Sequence, residues 1–330
     1  MSNFTINILG TASALPTVDR YPSAQVLDVH GRLLLIDCGE GAQMMMRKMK
    51  IAPVKIEAVF ISHIHGDHVF GLFGLLSTMG MQARTTPLHI YAPNSFGPIL
   101  KFFLSYFGEG IAFPIEHHVL KLSEPQIIYE SKSLIIRAFP LRHRIETYGF
   151  IFSETLPQIN VRKEQIARYG LTLAEIGTVK RGEDVVRPAG PLCEPSADNG
   201  FTRFSGTDED LVIPNAELGY LPYQPRSYAY CSDTMTFPEL AGWVKGVDLL
   251  YHEATYPSGM EDKAEMRFHS TTVQAARCAH EAGAKRLLLG HYSSKYPDLS
   301  LFLGEAREVF PDTLLANEGD RIEIPIKSFK

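Results

Sequence analysis

Cysteine is scarce in this chain: Cys38, Cys193, Cys231 and Cys278 are four scattered residues among 330, with no Cys-x-x-Cys pair. That spacing excludes a disulfide framework and a thiolate zinc site, and it predicts reduced, mostly buried thiols. Positive charge is not in excess either. With 32 Lys and Arg against 37 Asp and Glu the formal net charge is −5, so no global basic field advertises nucleic acid and any RNA contact has to be local. No apolar run approaches the length of a membrane span, and residues 1–10 lack a basic region followed by a long apolar one. These absences predict a cytoplasmic protein with no membrane partner. Internal repeats and low-complexity tracts are also missing.

What is present is ample core material, 45% hydrophobic residues, enough for one large domain. Short apolar strands are predicted at 4–9, 24–29, 33–36, 58–61, 88–91 and 134–139, with helices at 41–49, 69–81 and 94–107. The second half repeats the alternation, with strands at 227–231, 247–251, 286–289 and 313–315 and helices at 237–244, 271–282 and 299–309. Two halves of this kind fit an α/β protein with two sheets face to face and helices outside, a four-layer sandwich. Residues 153–224 break the rhythm, with few strand signals and much Gly, Pro and charge. We read a single domain over 1–330 carrying an insertion at about 153–206. Within it, 160–187 has a basic surplus from Arg162, Lys163, Arg168, Lys180, Arg181 and Arg187, and 188–206 has the Pro, Gly and Ser content of a mobile segment.

The chemistry is concentrated in His63-Ile64-His65-Gly66-Asp67-His68, directly after the apolar run Ala58-Val59-Phe60-Ile61. Three imidazoles and a carboxylate at the end of a buried strand each need a polar partner, and a metal supplies one for all. In near-extended backbone His63 and His65 project to the same side. Gly66 is expected to turn the chain sharply, freeing Asp67 and His68 to reach a second ion. Nitrogen and carboxylate donors suit zinc, with manganese or iron as options. Two ions about 3.5–4 Å apart can clamp both sides of a displacement at phosphorus but need more ligands. His143, Asp233 and His291 each follow an apolar strand, where open sheets gather their sites. Asp37 reads as a loop-fixing residue, and His30, His89, His117, His118 and His280 as structural or solvated ones without supporting partners.

These segments, with Leu9-Gly10-Thr11-Ala12-Ser13, Ser232-Asp233-Thr234, His252-Glu253-Ala254-Thr255, His269-Ser270-Thr271 and Gly290-His291-Tyr292, resemble the metallo-β-lactamase superfamily. Within it the pattern resembles the ribonuclease Z family along nearly the whole chain. The resemblance implies the αββα metallo-β-lactamase sandwich with an inserted, protruding arm. It implies two Zn2+ per subunit, one held by His63, His65 and His143, the other by Asp67, His68 and His291, with Asp233 bridging. Catalytic parts fall to Asp67, Glu253 and His269. The implied reaction is removal of the 3′ trailer from precursor tRNA by metal-hydroxide attack on a phosphodiester, leaving a 3′-hydroxyl, by a homodimer whose arm grips the tRNA. Arg162, Lys163, Arg168, Lys180 and Arg181 are then candidate phosphate contacts on the arm, and Lys295 one near the metals. The family's usual Gly-Pro turn is missing between Leu171 and Gly177, and Lys295 stands where Arg is common. Two other readings use the same residues: a related hydrolase of small phosphodiesters, cyclic nucleotides or sulfate esters, and a metal-stabilised RNA-binding protein without turnover.

Overall fold

Period-two alternation sorts apolar residues onto two faces of each strand. Leu34 and Ile36 pack between two sheets, while Leu35 between them packs outward beneath helices. The computed structural model describes residues 3–190 and 205–327, in two compact units. The larger unit comprises Met1–Glu154 and Arg226–Pro325. Its first half supplies β1 (Phe4–Gly10), β2 (Ala24–Val29), β3 (Arg32–Cys38), β4 (Ile56–Phe60), β5 (Leu88–Pro93) and β6 (Ile115–Leu120). Then come β7 (Gln126–Glu130), β8 (Leu134–Leu141) and β9 (Thr147–Glu154). After residue 225 follow β10 (Ser227–Cys231), β11 (Leu249–Glu253), β12 (Leu287–Gly290), β13 (Thr313–Leu315) and β14 (Arg321–Glu323).

Two seven-stranded sheets result, with orders β14-β1-β2-β3-β4-β5-β6 and β13-β12-β11-β10-β9-β8-β7. Each is antiparallel in one part and parallel in the other: β3 to β6 run parallel in the first, β10 to β13 in the second. Ile6, Phe60 and Tyr91 of the first sheet meet Ile136, Phe150 and Leu288 of the second in a shared core. The outer face of the first sheet is covered by α1 (Ala42–Lys48), α2 (Gly66–Met81) and α3 (Phe96–Phe107) through Met46, Leu72, Leu76 and Leu100. The second is covered by α4 (Glu239–Trp243), α6 (Thr272–Ala282) and α7 (Ser300–Val309) through Leu240, Ala276 and Phe302. The expected four layers are therefore present. The short α5 (Glu261–Arg267) precedes α6.

Several elements differ from the expectation. Strands β6 and β7 have no counterpart in it, because both are half-exposed and carry Glu116, His117, His118 and Gln126 among their apolar residues. The strand expected at 247–251 begins two residues later, since Asp248 uses its carboxylate to accept the Ser227 N–H and to pair with Lys285. Cys38 and Cys231 are buried free thiols and Cys278 is a partly buried one; Cys193 lies outside the described residues. Among the described residues no helix is long and apolar enough to cross a membrane.

The smaller unit comprises Thr155–Pro225 and Ile326–Lys330. It has a core of its own, in which Leu171, Val179, Val185, Ile213 and Leu218 are buried. Helix Leu173–Lys180 begins with a capping box: the Thr172 hydroxyl accepts the Glu175 N–H and the Glu175 carboxylate accepts the Thr172 N–H. Helix Lys163–Tyr169 ends at Gly170 in the left-handed conformation. Most of the Pro, Gly and Ser-rich segment lies in residues 191–204, outside the described ones.

Candidate metal centre and active site

Five strands deliver the polar residues. The hexapeptide follows β4; His143 lies two residues beyond β8; Asp233 lies two beyond β10; Glu253 ends β11; and His291 follows β12. The sharp turn expected at Gly66 is made instead by His65, whose extended backbone caps α2, so that Gly66 is already helical. Glycine matters more at Gly71 of α2, where a Cβ would stand 2.1 Å from the Gly39 carbonyl oxygen. This close approach seats the start of α2 against the loop after β3.

Two sets of donor atoms converge. His63 Nε2 lies 3.0 Å from His65 Nδ1, which lies 3.3 Å from His143 Nε2, and Asp233 Oδ2 is 3.6 Å and 3.8 Å from His63 and His143 Nε2. In the second set Asp67 Oδ2 is 3.5 Å from His68 Nε2 and 3.6 Å from His291 Nε2. Asp233 turns its other oxygen, Oδ1, to this set, 3.4 Å from His68 and 3.1 Å from His291. One carboxylate thus faces both sets, one oxygen to each.

The remaining ring nitrogens decide which nitrogen keeps its lone pair. His68 Nδ1 donates to Asp37 Oδ2 at 2.8 Å, and His143 Nδ1 donates to the Phe268 carbonyl at 2.9 Å. His63 Nδ1 meets Ser62 Oγ at 3.0 Å, where the Ser62 proton is engaged by Asp37 Oδ2. His291 Nδ1 meets Thr255 Oγ1 at 3.0 Å, whose proton goes to Glu253 Oε2. Nε2 of all four is left with its lone pair inward. His68 Nε2 and His291 Nε2 are buried with no hydrogen-bond partner, an arrangement that costs free energy unless a cation accepts those lone pairs. The donor spacings bracket the 3.3–3.4 Å edge, roughly, of a tetrahedron with metal bonds of about 2.0–2.1 Å. The site fits divalent metal.

Charge agrees with geometry. Burial, with the neighbouring His68 imidazole adding to it, holds His63 well below the ordinary histidine range. Burial likewise lowers His65 and His143 against the opposing pull of Asp233. Burial opposes ionisation of Asp67 and Asp233, but the surrounding imidazoles outweigh it and hold both carboxylates below their usual range. His68 goes the other way: burial lowers it, yet Asp233, Asp67 and Asp37 together raise it well above. Three carboxylates around one imidazole constitute an excess of negative charge that bound cations would neutralise. Asp67 also sits in the first turn of α2 and accepts the Ala14 N–H at 2.8 Å, so the helix dipole assists its ionised form.

Beside this centre stands a dyad. Glu253 is fully buried and accepts N–H bonds from Thr234, Thr255 and Ser270 and the Thr255 hydroxyl, while His269 Nδ1 donates to its Oε1 at 2.9 Å. Burial lowers the His269 pKa, but the Glu253 carboxylate overcomes this and raises it to about 9. Burial likewise disfavours the Glu253 anion, and His269 outweighs it. Phe268, just before His269, adopts the left-handed region at φ 59°, strained for a bulky residue, and this aims its carbonyl at His143.

Relatives match along the whole chain. The sequence is 39% identical over 330 residues to a ribonuclease Z of Phocaeicola vulgatus, covering all of both chains. It is 38% identical to a ribonuclease Z of Bacteroides thetaiotaomicron, covering 98% of this chain and 96% of the relative.

The chain belongs to the ribonuclease Z family.

A human tRNase Z, short form, superposes with a TM-score of 0.68 at 25% identity, covering 98% of this chain and all of the other. The metallo-β-lactamase fold protein YhfI of Bacillus subtilis gives 0.65 at 17% identity over 97% and 99% of the two chains, and shares the fold. A family described as Anti-Pycsar protein Apyc1 matches residues 4–155. The chain is thus a metallo-hydrolase with the fold expected from its sequence.

A cleft of about 690 Å³ opens over the centre, lined by His65, Asp67, His143, Asp233, His269 and His291. Lys295 lines it, as do three cations that the sequence alone does not single out, Arg144, Lys263 and Arg267. No motif announces them: Lys263 and Arg267 reach the cleft from the short, charged α5. Asp37 does more than fix a loop, since it accepts from His68, Ser62 and the Tyr230 hydroxyl. The arm candidates lie in the smaller unit. Arg162 stacks over Tyr220, Arg168 pairs with Glu217 at 3.4 Å, Arg181 pairs with Glu183 at 2.9 Å, and Lys163 and Lys180 are exposed. Arg187 is engaged inside the unit by Glu175, at 2.7 Å.

Proposed function

We propose that this chain is an endoribonuclease of the ribonuclease Z type that removes the 3′ trailer from precursor tRNA and leaves a 3′-hydroxyl on the tRNA. The observation that carries the reading is the pairing of two inward-facing donor sets with a buried Glu253–His269 dyad in one cleft. We assign His63, His65 and His143 to one Zn2+, Asp67, His68 and His291 to a second, and Asp233 to both; Mn2+ or Fe2+ would suit the same donors. Bound there, the ions supply an activated water at neutral pH and neutralise phosphate charge.

The chain's own groups do the rest. Asp67, held in place by the Ala14 N–H, orients the water and accepts its proton. His269 commits Nδ1–H to Glu253, leaving Nε2 to protonate the departing ribose oxygen. Its raised pKa keeps that proton in place at neutral pH. Glu253 fixes the ring and touches no substrate, because it is wholly enclosed. Arg144, Lys263, Arg267 and Lys295 place positive charge around the cleft for the flanking phosphates. Residues 160–187 serve as the tRNA-gripping arm through Arg162, Lys163, Arg168, Lys180 and Arg181, and the working unit is a cytoplasmic homodimer. A complete acid–base dyad argues against a scaffold without turnover, which needs neither Glu253 nor His269.

The test is incubation with a 3′-extended precursor tRNA, mapping both ends, beside chelated enzyme and Asp67→Ala. A 3′-hydroxyl on the tRNA with a 5′-phosphate on the trailer is expected. A 2′,3′-cyclic phosphate would overturn the mechanism, and hydrolysis of small phosphodiesters without any cleavage of precursor would favour the small-ester reading. Sedimentation tests the dimer.

A further inference from the structure

Outside the catalytic cleft, the described residues contain a separate group of donor atoms on the first sheet. His89 lies on β5, and Glu116 and His118 on the edge strand β6. Parallel pairing sets His89 opposite Glu116 and Tyr91 opposite His118. Residues two apart on a strand share a face, so all three side chains stand on one patch of the same face. His89 and His118 have no supporting partner in the local sequence; pairing across strands 29 residues apart supplies one.

The distances are those of a coordination triangle. His89 Nδ1 is 3.1 Å from His118 Nε2 and 3.2 Å from Glu116 Oε2, and His118 Nε2 is 3.9 Å from the same oxygen. A tetrahedral ion with bonds of about 2.0–2.1 Å requires edges of roughly 3.3–3.4 Å. The metal centre of the cleft shows the same spread between its own donors, from 3.0 to 3.8 Å. A hydrogen bond satisfies one edge of such a triangle, whereas a cation satisfies all three corners at once. The frame is stiff: the donors project from two paired strands, and the His118 ring is stacked on Tyr91 at 4.5 Å with 14° between planes. Burial and the neighbouring His89 lower the His118 pKa against the opposing pull of Glu116. The side chains are 40–49% exposed, so an ion can enter from solvent and water can complete its shell.

We propose that His89, Glu116 and His118 form an additional site for one zinc-class divalent cation, held by two imidazoles and one carboxylate and tying the edge strand β6 to β5. Two nitrogens and one carboxylate select zinc, cobalt, nickel or copper over magnesium and calcium. None of the three residues lines the catalytic cleft, so the site is separable from turnover.

The experiment strips the full chain with chelator, re-equilibrates it against buffered free Zn2+, and counts bound zinc per chain for wild type, His89→Ala, His118→Gln and Glu116→Gln. Circular dichroism verifies that each is folded. Wild type should bind one zinc more per chain than His89→Ala and His118→Gln, Glu116→Gln should need at least about tenfold more free zinc to fill the same site, and precursor cleavage should stay within about twofold in all, because the site lies apart from the cleft. Equal zinc in wild type and all three folded variants would overturn the proposal, leaving a proton-sharing network. So would an additional zinc that survives His118→Gln but disappears with His63→Ala.

Discussion

Charged side chains in the metal centre and in the smaller unit obey opposite rules. In the centre Asp233 and Glu253 are buried, each with several fixed partners, and His63, His68, His143 and His291 each have Nδ1 engaged so that Nε2 points inward. In the smaller unit Arg168, Lys180 and Arg181 are exposed, and the pairs that Arg168 and Arg181 make with Glu217 and Glu183 are surface pairs. A buried charge is expensive to leave unpaired, so the centre is set before substrate arrives. Exposed pairs are worth little and can be exchanged for phosphates at small cost. On the proposed roles, rigidity belongs to the chemistry and exchangeability to the grip.

The hardest blow to this contrast is at its centre. Asp233→Ala removes the carboxylate that faces both donor sets, and turnover should fall to the level of chelated enzyme with bound metal lost, as read by elemental analysis. Full metal content would show that Asp233 does not bridge. His269→Ala should lower kcat by roughly 10²–10⁴-fold while metal content stays unchanged; undiminished kcat removes it from proton transfer. Asp37→Ala removes none of the inward-facing donors, yet releasing His68 Nδ1 should weaken metal affinity by about 10–100-fold in a zinc-buffer titration. Replacing Lys180 and Arg181 by Ala should leave hydrolysis of a small phosphodiester unaltered and raise KM for precursor tRNA. It should also flatten the dependence of log affinity on log salt by about one unit for each phosphate no longer neutralised. A matching fall in activity on the small ester would break the division between chemistry and grip.

The smallest effect concerns acid. Burial pushes Glu175 up, but Arg187 and the Thr172 N–H outweigh it and hold it below its ordinary value. Its folded pKa is therefore depressed, so its contribution is present above about pH 4.5 and disappears as pH falls through the lower folded value. Glu175→Gln should remove under about 1 kcal/mol of stability near neutrality, a difference from the parent chain that shrinks in acid denaturation followed by circular dichroism.

Much of this was legible because chemistry sits at strand ends. Hydrophobic runs mark β4, β8, β10 and β12, and a polar residue at or just past the end of each is one of the donors. Period-two and helical patterns likewise announce the layers. What stays hidden depends on pairing across distance. β6 and β7 alternate too weakly to be seen because they lie half-exposed at sheet edges. Asp37 looks like a turn residue since nothing local shows that Ser62, His68 and Tyr230 will surround it. His89 and His118 meet only through strand register.

The carbonyl that steers His143 belongs to the residue immediately before His269. The imidazole proposed to hold an ion and the one proposed to donate a proton therefore share a single peptide group as their mechanical linkage. On the proposed roles, a chain missing its first ion should also misalign its acid. Incomplete loading should then silence the nuclease instead of leaving it to cut carelessly.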